Sequence, residues 1–299
     1  MDIAIILAVI LGLLIGSFLN VVIYRVPIML EREWDIAARE QLKLDDKFLN
    51  TLPENAAQTV REHIRLTADQ TGKFNLITPP SRCSSCGSPV KPWQNVPIIS
   101  WLILRGKCHT CKTPISIRYP LVETLTGVLF GLMAWQYGLT VITVGACLFT
   151  AFVIALTFID ADKQILPDTL TLPLVWLGIV FNWYTDFITL QQSVMGAIAG
   201  YMSLWTMYHL FKLFTGKEGM GYGDFKILAA IGAWLGTEIL PMVILASSIV
   251  GIIAFVLKRY TRDQAMAFGP CLAVAGWVVF LFHSSAGKAI NWWLTKSGF

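Results

Sequence analysis

Charged side chains are scarce in this chain. Asp, Glu, Lys and Arg make up 14% of its 299 residues, whereas soluble globular proteins average about 25%. The formal net charge is only +4, and no run of alternating basic and aromatic residues is present. The composition therefore argues against a soluble domain and against a nucleic-acid partner.

The chain is instead rich in long apolar runs. Hydrophobic residues make up 55% of the chain, and the first run, IAIILAVILGLLIGSFLNVVIY, begins at residue 3. A secretory signal peptide has a basic start and an apolar core of about 7–15 residues. This segment lacks the basic start and its apolar core is longer. We interpret it as a retained membrane helix that ends at Arg25 and Pro27, because proline rarely continues a helix.

A polar stretch at 28–117 separates this helix from seven further apolar segments. Those segments lie near 119–137, 140–160, 169–184, 188–213, 226–237, 239–257 and 267–284. A helix of about 20 apolar residues spans a bilayer. The sequence therefore predicts an all-α polytopic membrane protein with about eight transmembrane helices. Its predicted parts are a first membrane helix at 1–27, a domain at 28–117 inserted after it, and a membrane domain at 118–299.

Lys and Arg are distributed unequally between the connections. The stretch 28–117 and the connections that hold Lys163 and Lys226 are basic, whereas those around QYGLT, NWYTDFIT and LGTE contain neither residue type. Short basic loops stay in the cytoplasm. The inserted domain is therefore predicted to be cytoplasmic, with both termini on the opposite face of the membrane.

Two Cys-x-x-Cys pairs lie within the predicted cytoplasmic domain, CSSC at 83–86 and CHTC at 108–111. Each pair places two thiolates on a tight turn, and two such turns complete a tetrahedron for zinc. A reducing cytosol disfavours disulfides. The sequence predicts a zinc-ribbon-like domain with a structural metal site, and His109 is a less favoured alternative ligand. The predicted ligands are Cys83, Cys86, Cys108 and Cys111.

Acidic residues at two helix ends are the candidates for chemistry. IDADKQILPD contains Asp160, Asp162 and Asp168, and GYGDFK contains Asp224. Acids close to lipid are costly and usually functional, and two carboxylates that share one proton form an aspartic dyad. Two alternatives remain open on spacing alone. Asp224 would cap its helix, or Asp160 and Asp162 would be solvated by lipid headgroups.

These motifs, in this order, resemble the bifunctional type IV prepilin peptidases of bacteria. The resemblance covers nearly the whole chain and is carried by GSFLNVVIYRVP, the two Cys-x-x-Cys pairs, KCHTCKTPISIRYPLVE, IDADKQILPD and GKEGMGYGDFK. It implies an aspartic endopeptidase with Asp160 and Asp224 as its catalytic residues. The implied substrates are type IV prepilins and type II secretion pseudopilins, whose basic leader is removed.

The same resemblance implies an N-methyltransferase that uses S-adenosylmethionine as methyl donor. No Gly-rich motif of a soluble methyltransferase is present, so the residues that bind this donor are not predicted. The resemblance also implies a multi-pass protein of the bacterial inner membrane whose active site faces the cytoplasm. Its partners would be the prepilin substrates and the lipid bilayer; the oligomeric state is not predicted.

Two other functions fit parts of the sequence. A transporter or channel would also carry acids in its membrane helices, but it would move a solute and cut no peptide. A presenilin-like protease would share the Gly-x-Gly-Asp motif, but it would cut within a substrate helix and need no methyl donor.

Overall fold

The computed structural model describes residues 2–44, 52–59, 62, 74–217, 219–258, 267–283, 286–287 and 296. The principal helices are α1 (Asp2–Leu44), α2 (Ile99–Ile103), α3 (Arg118–Tyr137), α4 (Val141–Lys163), α5 (Asp168–Thr185), α6 (Leu190–Thr215), α7 (Tyr222–Leu235), α8 (Leu240–Lys258) and α9 (Gly269–Leu281). Every apolar segment predicted from the sequence is helical, which confirms the all-α prediction.

Three of these helices are long and apolar enough to cross a membrane. They contain the spans Ile3–Ala38, Val141–Lys163 and Leu240–Leu257, and α9 is a shorter apolar helix. The chain is therefore a helical membrane protein. The count of about eight crossings stays a prediction, as do the domain boundaries at 27 and 117.

The prediction that the first helix ends at Arg25 and Pro27 is wrong, because α1 continues through Pro27 to Leu44. Tertiary contacts on both sides of the proline explain this. The Arg25 guanidinium donates hydrogen bonds to the carbonyl oxygens of Asn75 (2.8 Å) and Pro79 (2.6 Å). One turn beyond Pro27, Glu31 pairs with Lys163 of α4 at 2.9 Å. Such packing outweighs the one backbone bond that a proline removes.

The predicted cytoplasmic segment contains almost no sheet among its described residues. Two isolated antiparallel bridges occur, Arg82 with Pro89 and Lys107 with Pro114. Each bridge encloses one Cys-x-x-Cys turn. Residues 45–51, 60–61 and 63–73 of the segment lie outside the described residues.

Helix α4 lies at the centre of the bundle, against α1, α3, α5 and α9. Large aromatic side chains fill the space around it. Phe149 of α4 meets Trp234 of α7 and Phe280 of α9, with ring centroids 5.2 Å apart in both pairs. All three side chains are fully buried, so α4, α7 and α9 share one core.

Helix α7 is short but almost entirely enclosed by α5, α6 and α9. Gly196 of α6 and Gly232 of α7 bring the two backbones into contact, since a Cβ on either would overlap the carbonyl oxygen of the other. Small residues allow this close approach in membrane helices. The indole N–H of Trp234 donates to the Leu174 carbonyl of α5 at 2.9 Å. These contacts fix α7, whose first turn carries Asp224.

Candidate functional site

The four predicted metal ligands form one cluster. Their sulfur atoms all lie within 4.8 Å of one another. Matching backbone bonds shape the two turns that hold them: Gly87 N–H donates to the Cys83 carbonyl (2.9 Å), and Lys112 N–H donates to the Cys108 carbonyl (3.1 Å). Gly87 and Lys112 both adopt a positive φ, 68° and 61°, which closes each turn in the same way.

Hydrogen bonds in the two turns favour the thiolate form of three cysteines. Bonds from the Ser88 side chain and backbone lower the pKa of Cys86. Bonds from Thr113 lower the pKa of Cys111 in the same way, and the backbone N–H groups of Cys111 and Thr110 lower that of Cys108. Thiolates are the metal-binding form of cysteine. Four cysteine sulfurs in one cluster fit a tetrahedral metal ion such as zinc.

The alternative ligand His109 is not a member of this cluster among the described residues. Its ring instead packs edge-on against Trp93, with centroids 5.8 Å apart. The arrangement therefore favours the four sulfurs as the complete ligand set.

Asp160 and Asp224 are buried at neighbouring helix ends. Asp160 lies in the last turn of α4 and is 5% exposed, and Asp224 lies in the first turn of α7 and is 7% exposed. The carboxylate of Asp160 lies against the Gly269 backbone at the start of α9. The backbone N–H of Asp224 donates to the Gly221 carbonyl at 3.2 Å. Helices α4, α7 and α9 thus converge at these two acids, which are close enough to interact electrostatically.

Three nearby residues shape the space around the acids. Leu166, in the turn after α4, packs against both Gly223 and Gly269, where an added Cβ would meet it at 2.8 Å and 3.0 Å. A Cβ on Gly269 would also collide with the Asp160 carboxylate. By contrast, a Cβ on Gly221 would meet nothing within 4 Å, so the backbone just before α7 borders open space.

The two alternatives left open for the acids can be compared with this geometry. The N-cap of α7 is Gly221, and Asp224 is the third helical residue, so Asp224 is not the N-cap. Solvation by headgroups fits the other acids better. Asp162 is paired with Arg118, and its side chain is 42% exposed. Asp168 is paired with Lys226, and its side chain is 56% exposed.

Sequence reasoning did not single out Glu123, which is buried on α3. Asp160 was selected because acidic residues in membrane segments are energetically costly and usually functional. The same rule applies to Glu123, which lies inside the predicted span 119–137. The ion pairs of Arg118 with Asp162 and of Lys226 with Asp168 were also not predicted, since Lys226 was used only for topology. Their signal is weaker, since basic residues at helix ends commonly serve only to anchor a helix at the membrane surface.

Comparisons with known proteins place the chain in a family. A model described as the bacterial peptidase A24 N-terminal domain matches residues 10–137. A model of the type IV leader peptidase family matches residues 147–256. No solved structure matches significantly.

Curated relatives match over almost their full length. A prepilin leader peptidase/N-methyltransferase of Neisseria gonorrhoeae is 53% identical, over 97% of this chain and 94% of the relative. Proteins of the same name from Stutzerimonas stutzeri and Dichelobacter nodosus are 47% and 44% identical. The alignments cover 92% and 94% of this chain and 89% and 92% of those relatives, respectively.

The helical membrane fold, the cysteine cluster and these matches together define a membrane-bound enzyme of the peptidase class. The chain belongs to the type IV leader peptidase family, in its bifunctional form with protease and methyltransferase activity.

Proposed function

We propose that this protein removes the basic leader of type IV prepilins and type II secretion pseudopilins and then N-methylates the new N-terminal residue. The methyl donor is S-adenosylmethionine. The observation that carries the peptidase part is the pair of buried carboxylates at the ends of α4 and α7. The names of the relatives support the substrate class and the methyl transfer.

Asp160 and Asp224 act as the catalytic pair. The ionised carboxylate takes a proton from the attacking water, and the protonated one donates a hydrogen bond to the scissile carbonyl. The open space beside Gly221 admits an extended substrate strand next to the pair. Gly269 has no Cβ, so its backbone can lie against the Asp160 carboxylate without displacing it.

The four clustered cysteines hold a structural zinc ion. When bound, the ion supplies folding free energy to a segment whose described residues have little sheet and few buried apolar side chains. It takes no part in peptide hydrolysis. The ligands are Cys83, Cys86, Cys108 and Cys111.

The chain crosses the bacterial inner membrane eight times, with 1–27 as the first span, 28–117 in the cytoplasm and 118–299 as the peptidase domain. The catalytic pair then lies at the cytoplasmic face, where the basic leader of a substrate stays while its apolar helix is in the bilayer. Reporter fusions after residue 60 and after residue 186 should report opposite sides. The same side for both would refute the eight-helix topology.

A single assay tests the function. Purified protein is incubated with a prepilin and with donor labelled at its methyl group, and leader removal and label transfer are measured separately. Both are expected. Flux of a solute without proteolysis would indicate a transporter instead. Cleavage inside the substrate helix without label transfer would indicate a presenilin-like protease.

A further inference from the structure

A cavity of about 620 Å³ lies between the cysteine turns, the middle of α1 and the first turns of α3. Its walls include Asn20 of α1 and Glu123 of α3 on one side and Cys83 and His109 on the other. Pockets for small ligands have volumes of about 300–1,000 Å³. The proposed peptide hydrolysis at Asp160 and Asp224 makes no use of this cavity.

Glu123 is the buried acid of the cavity. It is 8% exposed, and its Oε2 accepts a hydrogen bond from the backbone N–H of Ile98 at 2.8 Å. The backbone of α1 crosses directly over it, since a Cβ on Gly16 would lie 2.7 Å from the Glu123 Cα. The ion pairs among the described residues do not include Glu123. A buried carboxylate without a cation is costly, which suggests that a ligand provides one.

The residue that donates to Glu123 has an unusual backbone conformation. Ile98 has φ 59° and ψ −51°, a region that β-branched residues rarely adopt. Such conformations persist where surrounding contacts enforce them, and they are concentrated at functional sites. The turn before α2 is therefore held in a costly shape that directs its N–H to the carboxylate.

A second cavity adjoins the first one and reaches the end of α4. It measures about 360 Å³ and shares Asn20, Tyr24, Ser116 and Tyr119 with the first cavity. Its far wall includes Asp162 and Lys163, which follow Asp160 by two and three residues on α4.

We propose that the larger cavity is the methyl-transfer site: it binds S-adenosylmethionine, and Glu123 receives the free α-amine of the cleaved substrate. This inference rests on the proposed function and gives a location to its second activity. The walls suit the donor. Arg82 and Lys91 offer cations for its carboxylate, and Trp101, whose indole N–H is held by the Ile115 carbonyl at 3.3 Å, offers an aromatic surface.

The transfer balances without any further reactant. The α-ammonium of the cleaved substrate binds beside Glu123 and loses one proton to solvent. The nitrogen lone pair then attacks the methyl carbon, the new N–C bond forms, and the C–S bond breaks with its electron pair left on sulfur. Positive charge moves from the sulfonium to the nitrogen, which lies beside the Glu123 carboxylate. A fixed negative charge at the place where positive charge develops lowers the barrier.

The first test uses Glu123→Gln, which keeps the size of the side chain and an oxygen to accept the Ile98 N–H. We expect label transfer to a pre-cleaved peptide with a free N-terminal Phe to fall about 100-fold. Leader removal and the binding of S-adenosylhomocysteine, measured by equilibrium dialysis, should stay within about threefold of wild type. Glu238→Gln is the matched control, because Glu238 is exposed and accepts a hydrogen bond from the Gln192 side chain at 3.3 Å, far from the cavity lining.

A second measurement locates the donor independently of turnover. Labelled S-adenosylmethionine is cross-linked to wild-type protein by ultraviolet light, and the labelled peptides are mapped. Label is expected within 17–25, 81–91 or 100–123. Trp101→Leu should weaken S-adenosylhomocysteine binding while the metal content and leader removal stay at wild-type levels.

Each contrary outcome has one meaning. Unchanged methylation by Glu123→Gln, or a parallel loss of cleavage, would overturn the role of Glu123. Cross-linking to α6 or α8 would overturn the location of the donor. Wild-type protein that cleaves but transfers no label would instead count against the proposed function itself.

Discussion

The cysteine turns and the helix bundle are stabilised in different ways. The bundle has a continuous core, in which Phe149, Trp234 and Phe280 are fully buried and in mutual contact. The cysteine turns have single β-bridges and a few backbone hydrogen bonds, and two of the four sulfur-bearing residues are exposed. The bundle is therefore held by packing, whereas in the proposed function the turns are held by a metal ion, so different perturbations should disable each of them.

The largest expected effect concerns the acids inside the bundle. Asp160→Asn and Asp224→Asn should each reduce leader removal about 1,000-fold or more, because either change removes the shared-proton chemistry. The double variant should be no slower than either single one, since residues that act as a unit are not additive. The measurement is leader removal from a prepilin in detergent or liposomes.

Matched controls for that experiment lie on the same segments. Asp162→Asn and Asp168→Asn change exposed, ion-paired acids and should retain substantial activity. An active Asp224→Asn would rule out the dyad. An inactive Asp162→Asn beside an active Asp160→Asn would show that the wrong partner has been assigned.

The next effect concerns the cysteine turns alone. Replacing all four cysteines with Ser should release about one metal ion per chain, measured by elemental analysis, because a tetrahedral site is lost. Amide hydrogen exchange should rise across 80–116 while thermal unfolding of the bundle is unchanged. Unchanged metal content would contradict the cluster as the metal site, and unfolding of both regions together would contradict their independence.

A substitution in the core of the bundle should lower the stability of the bundle and leave the metal content unchanged. Trp234→Ala removes a fully buried indole that stacks on Phe181 with centroids 4.9 Å apart. We expect a loss of about 3–5 kcal/mol in the stability of the bundle, measured by thermal unfolding in detergent, with metal content retained. Trp176→Ala changes an exposed position of α5 and should lower the stability of the bundle much less. A similar loss of stability in both variants would argue against the core described here.

The smallest effect concerns the titration of the thiols. Ser88→Ala removes a hydrogen bond that lowers the pKa of Cys86, so that pKa should rise. Metal binding needs the thiolate, and the pH at which half of the metal is released should therefore move upward, by less than about one unit. Glu54→Gln, outside the turns, should leave the release curve in place. A shift to lower pH would contradict the assigned direction.

The helices and the cysteine cluster could be predicted from the sequence because both are local patterns. The segment near 169–184, for example, corresponds to α5 at Asp168–Thr185, and the Cys-x-x-Cys spacing already indicated the cluster. Pro27 was misread because the contacts that carry α1 past it come from residues distant in the sequence, Asn75, Pro79 and Lys163.

The candidate site was predictable in part for the same reason. The motifs indicated Asp160 and Asp224 as candidate catalytic residues. Spacing alone, however, does not distinguish the buried Asp160 from the neighbouring Asp162, which forms an ion pair with Arg118 of α3. Glu123 escaped notice because its surroundings are assembled from α1, α3 and the turn at Ile98. Burial of a polar group is a property of the folded chain, and a short motif does not carry it.

The unbroken course of α1 has a mechanical consequence. Its 43 residues make a rod about 64 Å long, and Arg25 ties the middle of the rod to the chain that leads into the cysteine turns. A bilayer that is thicker or thinner than its apolar segment changes the tilt of such a helix. Such a change in tilt would act on two attachments of the rod: the Arg25 hydrogen bonds to the segment before the cysteine turns, and the Glu31–Lys163 ion pair to α4.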